Sequence, residues 1–338
     1  MANMLLTGGA GFIGRTLVRQ LTDAGHKVSV LDNYRFSNQE QIIANPDVVW
    51  HTGDTRDYQL VKSLVVGKDA VIHLAAPSSF LMHEEDDLEA CNFTMMGFKT
   101  VMEAMRACGV RRIAWASTSA VYEGNSVPYY EEMTLEPPDS KAGCKHWCEM
   151  EARRYADRYG FVSVALRPFS VYGVGEHTKG GYANVTSLLT WAMMAGERPV
   201  IWGDGNQTRD FIFVEDAARG FVNAMGIALE SETPMAETVN LGFGVEHSFL
   251  DVMNIAAEEL DIKPDPVFVD VPIKIYAHRL WATTDKMRSF LALTPRVTLR
   301  QGIRQIIECT RELWNRDPRW RKELGAAQLY YKKLPGAN

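Results

Sequence analysis

The first third of the chain alternates between short apolar runs and longer segments whose apolar residues have helical spacing. The apolar runs at 3–6, 27–32, 69–77 and 111–123 are bounded by glycine, charged or hydroxyl residues, which predicts buried β-strands. The segment from Arg15 to Gly25 has apolar positions three and four apart and ends at a glycine, as helices commonly do. Strands that alternate with helices predict an α/β fold, in which a parallel sheet carries helices on both faces.

A glycine-rich turn, GGAGFIG, joins the first predicted strand to the first predicted helix. Gly8 permits the tight turn, Gly11 lets the backbone approach a pyrophosphate, and Gly14 lets the helix pack closely on the strand. Asp32 ends the second predicted strand, where its carboxylate can accept hydrogen bonds from a ribose 2′-hydroxyl and would repel a 2′-phosphate. The pattern therefore predicts a dinucleotide site that favours NAD over NADP.

Further cofactor contacts are expected near this turn and at the ends of the following strands. A further strand is predicted within VVWHTGDTRD, between the runs 27–32 and 69–77, and Asp54 near its end is placed to meet the adenine. The small side chains of Ala75 and Ala76 let the dinucleotide lie against the backbone. The complete set of additional residues expected from this half of the sequence is Phe12, Ile13, Asn33, Asp54, Thr55, Leu74, Ala75 and Ala76.

Composition excludes several other classes of protein. Of the 338 residues, 46% are hydrophobic and 23% are charged, as in ordinary globular proteins. The formal net charge of −6 argues against a nucleic-acid binder, which needs a basic surface. The chain has neither an apolar run long enough to span a bilayer nor a signal-peptide layout at its N-terminus, so we expect no membrane contact and a cytoplasmic location.

The five cysteines are scattered, which is typical of a protein in a reducing compartment. Cys144 and Cys148 are four apart on a predicted helix and could face the same way. Since His146 is the one further ligand close by in sequence and lies on another face, we expect no metal site there.

Several ordered motifs together carry a family resemblance. They are TGGAGFIG near the N-terminus, Asp32, HLAA, STSAVY, a lysine on a helix, LRPFSVYG and GDGNQTRDF. From about residue 3 to about residue 310 the sequence resembles the extended short-chain dehydrogenase/reductase family, whose members are mainly nucleotide-sugar epimerases and dehydratases. The resemblance implies a Rossmann-type doubly wound parallel sheet, a smaller C-terminal substrate-binding domain and a tightly held NAD that oxidises a sugar hydroxyl and usually returns the hydride.

The resemblance also implies domain boundaries. We expect a NAD-binding Rossmann domain over 1–168, with a returning strand near 237–244, and a discontinuous nucleotide-sugar domain over 169–312. The charged and aromatic segment 313–338 is expected to be a surface tail. The helix around 86–109 has apolar residues on all sides, and family members often dimerise by pairing it with the helix that bears the active-site lysine, so we expect a homodimer.

The reaction centre implied by the resemblance departs from the family in one place. Thr118 matches the hydroxyl residue that binds the reacting sugar hydroxyl, and Lys145 matches the lysine of the family's Tyr-x-x-x-Lys, which binds the nicotinamide ribose. Lys141 stands where that tyrosine, the proton acceptor, is expected. The sequence contains a literal Tyr-x-x-x-Lys at Tyr58 and Lys62, which lies far from the expected hydride and is interpreted as coincidence.

Three interpretations of Lys141 remain open at this stage. A neighbouring ammonium, the cationic nicotinamide and burial would all lower the pKa of Lys141, so the amine could itself act as the base. Alternatively, the proton moves through Thr118 with water, or through Tyr122 or Glu123. In the third interpretation oxidation is impaired, and the protein binds NAD and a sugar nucleotide without fast turnover.

The resemblance extends to the substrate half. Pro168 is expected near the nicotinamide, while Arg209 matches an arginine that clamps the diphosphate and Arg279 is a possible second phosphate ligand. Ser170 replaces an asparagine that often contacts the diphosphate. The whole set expected to contact the substrate is Ser119, Tyr182, Asn184, Arg209 and Arg279.

The residues after Thr118 favour one reaction within the family. Dehydratases carry acidic residues there to protonate the leaving hydroxyl, whereas this chain has Ser119 and Ala120. The motif is closer to that of 4-epimerases, and UDP is the commonest nucleotide in that group, so a UDP-sugar 4-epimerase is favoured. The alternatives are another oxidoreductase or dehydratase of nucleotide sugars, a redox enzyme of free sugars or hydroxy ketones, and a non-catalytic NAD- or sugar-nucleotide-responsive protein.

Overall fold

The apolar runs form strands and the amphipathic segments form helices. The structure is a computed structural model that describes residues 1–37, 45–272 and 276–333. The strands are β1 (Asn3–Thr7), β2 (Lys27–Asp32), β3 (Val48–Thr52), β4 (Ala70–His73), β5 (Arg112–Ala116), β6 (Val162–Pro168), β7 (Ser170–Tyr172), β8 (Val200–Trp202), β9 (Thr208–Phe213), β10 (Met235–Leu241), β11 (Glu246–Ser248), β12 (Val267–Val269) and β13 (Arg279–Leu280).

The helices alternate with these strands in the first half and become more frequent in the second. They are α1 (Phe12–Asp23), α2 (Tyr58–Val65), α3 (Phe80–Glu85), α4 (Asp87–Cys108), α5 (Ser140–Tyr159), α6 (Val185–Ala195), α7 (Val214–Glu230), α8 (Phe249–Leu260), α9 (Asp285–Phe290), α10 (Leu299–Arg316) and α11 (Arg319–Ala327). Short 3₁₀ segments span Ser119–Tyr122, Glu176–Tyr182 and Gln328–Lys333. No helix in the described ranges is both long enough and apolar enough to cross a membrane.

The main sheet has seven parallel strands in the order β10-β6-β5-β4-β1-β2-β3. The strand expected to return near 237–244 is β10, which pairs with β6 at the edge of this sheet. The order reverses direction between β1 and β4, and such a switch point opens a crevice at the carboxyl ends of the strands, where ligands of α/β proteins bind.

The two faces of this sheet bury different side chains because successive residues of a strand point to opposite sides. In β5, Ala114 belongs to the hydrophobic cluster under α1 and α7, whereas Ile113 and Trp115 belong to the cluster under α2, α4 and α5. Both faces are therefore covered, as the alternating pattern of strands and helices predicted.

The C-terminal half adds two small sheets beside the large one. In one, β9 pairs with β7, β11 and β13, and in the other β8 pairs with β12. One hydrophobic cluster runs through both parts, since it contains Leu6 of β1 as well as Phe213 of β9 and Ile306 of α10. The second unit thus packs on the first through a shared core.

The segment 313–338, expected to be a surface tail, is in part buried. The helix α10 continues to Arg316, and α11 packs on α6 with Leu324 only 1% exposed. The Gln328 side chain accepts a hydrogen bond from the backbone N–H of Val200 (2.8 Å) and donates one to the carbonyl of Arg198 (2.9 Å). The apolar residues between the charged ones recur at helical spacing, which indicates an amphipathic helix with one buried face although the segment as a whole is polar.

Candidate active site

A long pocket opens at the carboxyl ends of β1, β2, β4, β5 and β6, at the switch point of the sheet. Its lining includes most of the residues expected at the cofactor. These are Gly8, Gly11, Phe12, Ile13, Gly14, Asp32, Asn33, Thr55, Leu74, Ala75, Ala76, Lys145 and Pro168. The residues that the sequence suggested from separate motifs therefore share one cavity.

The glycine turn at one end of the pocket leaves no room for larger side chains. Gly8 has a φ of +75°, and a Cβ atom there would lie 2.7 Å from the backbone nitrogen of Ala75. A Cβ atom on Gly14 would lie 2.2 Å from the carbonyl oxygen of Gly8. Gly11 begins α1 and offers no side-chain cap, so the helix N-terminus is open toward the pocket. This cradle fits the pyrophosphate of a dinucleotide.

Asp32 presents a fixed negative charge to the same part of the pocket. One carboxylate oxygen accepts a hydrogen bond from the backbone N–H of Ala10 (2.9 Å), and the other accepts from the backbone N–H of Tyr34 (2.9 Å). The guanidinium of Arg35, which also lines the pocket, lies 3.6 Å from the carboxylate of Glu89. Arg35 thus has an acidic partner and is not free to pair with a 2′-phosphate, which agrees with the prediction of NAD.

Asp54 lies outside the pocket lining, unlike its neighbours Gly53 and Thr55. Its carboxylate accepts hydrogen bonds from Arg56, at 2.9 Å to Nη2 and 3.0 Å to Nε. The carboxylate expected to meet the adenine thus forms an ion pair with a side chain two residues further on. Two aromatic side chains that the sequence analysis did not select, Phe36 and Phe93, line this part of the pocket.

The other end of the pocket brings together Thr118, Lys141 and Lys145. The Asp139 carboxylate accepts a hydrogen bond from the backbone N–H of Ala142 (2.7 Å) and so fixes the start of α5. The two lysines lie one helical turn apart on the same face of α5. The Nζ atom of Lys145 donates a hydrogen bond to the carbonyl of Ala116 (2.6 Å), which aims this ammonium at the end of β5.

Burial lowers the pKa of Lys141 and that of Lys145. For Lys141, the carboxylates of Asp139 and Glu123 oppose this shift, and the ammonium of Lys179 reinforces it. Lys179 lines the pocket from the 3₁₀ segment Glu176–Tyr182 and is a pocket residue that sequence reasoning missed. A lone lysine in a glycine-rich loop gave no signal that the fold would place it near α5.

The alternative proton carriers differ in their positions. Glu123 lines the pocket, and burial raises the pKa of its carboxyl group. Tyr122 is fully buried outside the lining, where its hydroxyl donates to Asn240 (2.8 Å) and accepts from Arg167. Burial raises the pKa of Tyr122, and its hydroxyl is hydrogen-bonded within the core, outside the pocket lining.

The residues expected at the substrate are divided between the pocket and its surroundings. Ser119, Tyr182 and Asn184 line the pocket. The buried Arg209 lies between the rings of Phe249 and Tyr276, outside the lining. Arg279 is exposed and forms an ion pair with Glu246. The structure thus places neither arginine in the pocket wall. The pairing of β9 with β11 and β13 brings Arg279 to Glu246, whereas Arg209 lies against rings from outside these strands.

A hydrogen-bonded group of three side chains, Glu85, Tyr182 and Tyr330, joins distant parts of the chain beside the pocket. The carboxylate of Glu85 accepts hydrogen bonds from the hydroxyls of Tyr182 and Tyr330, each at 2.6 Å. The two hydroxyls are also 2.6 Å apart. Tyr182, which lines the pocket, is thereby held by α3 and by the C-terminal 3₁₀ segment.

Comparisons with known proteins agree with this geometry. Residues 4–242 match the model of the NAD dependent epimerase/dehydratase family. The chain is 31% identical over 307 residues to a putative UDP-glucose 4-epimerase of Methanocaldococcus jannaschii, with 90% of this chain and 97% of the relative covered.

Solved structures of similar fold include UDP-glucose 4-epimerases. A UDP-glucose 4-epimerase of Thermotoga maritima, solved with UDP-glucose, has a TM-score of 0.85 and 26% identity, covering 92% of this chain and 99% of that one. A UDP-glucose 4-epimerase of Thermus thermophilus, solved with NAD, has a TM-score of 0.80 and 27% identity, covering 91% and 99%. The family model, the parallel sheet and the dinucleotide cradle lead to one conclusion, that the chain belongs to the NAD dependent epimerase/dehydratase family and is an enzyme of this NAD-dependent type.

Proposed function

We propose that the protein is a UDP-sugar 4-epimerase. The observation that carries the proposal is a single pocket that has a dinucleotide cradle at one end and Thr118, Lys141 and Lys145 at the other. UDP-sugar 4-epimerases are prominent among its relatives, including the enzymes named above and a UDP-glucuronate 4-epimerase of Thermodesulfobacterium geofontis, 26% identical over 326 residues. Inversion at C4 needs one redox centre and one proton relay, which this pocket can supply.

The cofactor residues divide by the part of NAD that each would hold. The chemistry that NAD would supply here is reversible hydride transfer with C4 of the sugar. The glycine turn and the N-terminus of α1 would bind the pyrophosphate, and Asp32 would bind the adenine-side ribose hydroxyls. Lys145 would bind the nicotinamide ribose, since its ammonium is already directed at the strand end where Thr118 begins the next segment.

Lys141 is proposed as the base that takes the proton of the C4 hydroxyl. Burial and the ammonium of Lys179 both favour the neutral amine, which is the form that accepts a proton. The Thr118 hydroxyl would hydrogen-bond the same sugar oxygen and stabilise its developing negative charge. Glu123, a third group in the wall, can exchange the proton of Lys141 with solvent.

Sugar and diphosphate are proposed to contact Ser119, Tyr182 and Asn184, which line the pocket. Dehydration would need an acidic residue directly after Thr118 to protonate the leaving hydroxyl. This chain has Ser119 and Ala120 there, so dehydration is disfavoured. Arg209 and Arg279 remain candidate diphosphate ligands. Arg209 would have to move away from the rings of Phe249 and Tyr276, and Arg279 from the carboxylate of Glu246.

The function is tested by analysis of the bound cofactor and of sugar products. Denaturing the purified protein should release NAD. Incubating the native protein with UDP-glucose, UDP-N-acetylglucosamine and UDP-glucuronate, followed by chromatographic separation, should convert one of them to its C4 epimer in both directions. Release of NAD without conversion of any sugar nucleotide would support the impaired-enzyme interpretation instead.

We further propose a homodimer built on α4 and α5 in a cytoplasmic enzyme. The exposed side of these helices carries Leu88 (84% exposed), Met96 (49%) and Met150 (53%), which water solvates poorly. All five cysteines are free thiols, which agrees with a reducing compartment.

The dimer is expected to elute with twice the mass of one chain in size-exclusion chromatography with light scattering. The variant Met96→Lys should shift this mass toward that of one chain, because a charge at the centre of a dimer interface would be desolvated. Val49→Lys, at an exposed apolar position on the opposite edge of the main sheet, is the matched control and should remain dimeric. A wild-type peak at the mass of one chain would refute the proposal.

A further inference from the structure

We propose that His83, Asp87 and Cys91 form a binding site for a divalent transition metal of the zinc type. The three residues recur every fourth position across the junction of α3 and α4, where Asp86 ends one helix and begins the next. They lie outside the pocket lining, although Met82, beside His83, belongs to it. The proposal therefore does not rest on the proposed epimerase reaction.

The candidate ligand atoms converge on one point. The Nδ1 atom of His83 is 3.3 Å from Oδ1 of Asp87, and the Sγ atom of Cys91 is 3.6 Å from the same oxygen. The nitrogen, oxygen and sulfur atoms all lie within 4.8 Å of one another. The sequence prediction that no metal site exists considered Cys144, Cys148 and His146, whereas this cluster lies on the neighbouring helices.

The two separations that involve Asp87 match the edges of a tetrahedral site. At ordinary bond lengths, tetrahedral zinc holds nitrogen and oxygen ligands about 3.3 Å apart and oxygen and sulfur ligands about 3.5 Å apart. The observed distances are close to both values, so an ion could bind with small rotations of the side chains. A mixed set of imidazole, carboxylate and thiolate favours Zn²⁺ or Co²⁺ over Ca²⁺ and Mg²⁺, which prefer oxygen alone.

The surroundings favour a cation and allow it to enter. Glu84, Glu85, Asp86 and Glu89 flank the ligands along the chain and attract positive ions. His83 is buried, with 4% of its surface exposed, while the side chain of Asp87 is 55% exposed, so the site opens to solvent on one side.

Two charged residues and two side chains of α5 also face the cluster. The field of Lys141 opposes a positive charge near His83, and that of Asp139 favours it. The Ser140 hydroxyl donates a hydrogen bond to Asp87, and the thiol of Cys144 interacts with that of Cys91. The fourth position of a tetrahedral ion would be occupied by water or by the sulfur of Cys144.

The probe for this site is Co²⁺ alone, added to full-length protein that has been stripped of metal with a chelator and reduced. Binding should produce the near-ultraviolet absorption of a cobalt–thiolate bond and the visible bands of a four-coordinate ion, and Zn²⁺ should displace both. Cys91→Ser should weaken the thiolate absorption by at least half, and Asp87→Asn should weaken Co²⁺ binding about 100-fold or more.

Cys309→Ser, which alters a thiol on the distant helix α10, is the matched control and should bind as the wild type does. Circular dichroism establishes whether each variant is folded. If Cys91→Ser does not fold, the loss of Co²⁺ binding in Asp87→Asn tests the site. The proposal is overturned if wild-type protein shows no cobalt–thiolate absorption, or if Cys91→Ser and Asp87→Asn both retain it unchanged.

Discussion

Replacing Lys141 with methionine is expected to lower kcat by about 10²–10⁴-fold, the usual contribution of a positioned general base. Methionine keeps much of the length of the lysine side chain but cannot accept a proton. Binding of NAD and of the sugar nucleotide should change little, because the residues proposed for those contacts are untouched. Steady-state kinetics with the sugar nucleotide converted by the wild type measure the effect.

The dependence of the reaction rate on pH shows whether Lys141 acts as a base or only fills space in the pocket. Burial lowers the pKa of Lys141, so the wild-type rate should rise with pH as the amine loses its proton, and this limb should vanish in Lys141→Met. Protein stability should follow the same sign. Because the unfolded chain binds more protons between the lowered pKa and the ordinary lysine value, the stability contribution of Lys141 improves as pH rises through that window.

The second Tyr-x-x-x-Lys in the chain provides the control for this experiment. Lys62→Met, in α2, should leave both the rate and its pH profile unchanged. Lys141→Tyr is the informative contrast, since a tuned base predicts lower activity. Higher activity in Lys141→Tyr than in wild type would show that this lineage has lost its proton acceptor.

Replacing Glu149 with alanine is expected to lower the free energy of unfolding by about 3–5 kcal/mol, as found when one partner of a buried ion pair is removed. Glu149 and Arg167 form two parallel hydrogen bonds, at 2.9 Å from Nε and 2.7 Å from Nη2, and their side chains are 9% and 4% exposed. The Ser117 hydroxyl donates a third hydrogen bond to the carboxylate (2.6 Å). Alanine would leave the guanidinium buried with its charge uncompensated.

Urea denaturation followed by circular dichroism measures this loss. The double variant Glu149→Leu/Arg167→Met should recover much of the stability, because no unpaired charge remains. Glu312→Ala, which removes an exposed pair with Arg316, is the control and should cost less than about 1 kcal/mol. A loss of that small size in Glu149→Ala would contradict the assignment of a buried ion pair.

The ion pair also predicts a dependence of stability on pH. Burial by itself would raise the pKa of Glu149, but the hydrogen bonds and the charge of Arg167 lower it to about 2. Because the folded value lies below the unfolded one, the contribution of Glu149 is complete above about pH 4.5 and is lost as pH falls toward 2. The variant Glu149→Ala should lack this part of the acid transition.

Residues whose positions depend on local backbone geometry could be located from the sequence. The turn at Gly8, the start of α1 and the strand end at Asp32 are set by residues close together in the chain, and all lie in the pocket. The position of Lys145 could be located for the same reason, because Asp139 fixes the residue at which α5 begins.

Residues whose positions depend on distant partners could not be located in this way. Asp54 turns from the pocket toward Arg56, which is itself held by Glu89 of α4. Arg279 is held by Glu246, and Lys179 enters the pocket because the segment Glu176–Tyr182 packs on α1, where the Lys179 ammonium lies over the ring of Phe12. The position of each of these side chains depends on residues brought together by tertiary packing, which the local spacing of residues along the chain does not indicate.

The contacts among Glu85, Tyr182 and Tyr330 have a consequence for how enzymes of this kind diverge. Tyr330 lies beyond residues 4–242, the part of the chain that carries the family pattern. Tyr182 in the pocket wall is thus supported by a segment that lies outside the residues matched by the family model. Under the proposed function, a change at Tyr330 should therefore alter the preference among sugars through Tyr182 while the reacting groups stay the same.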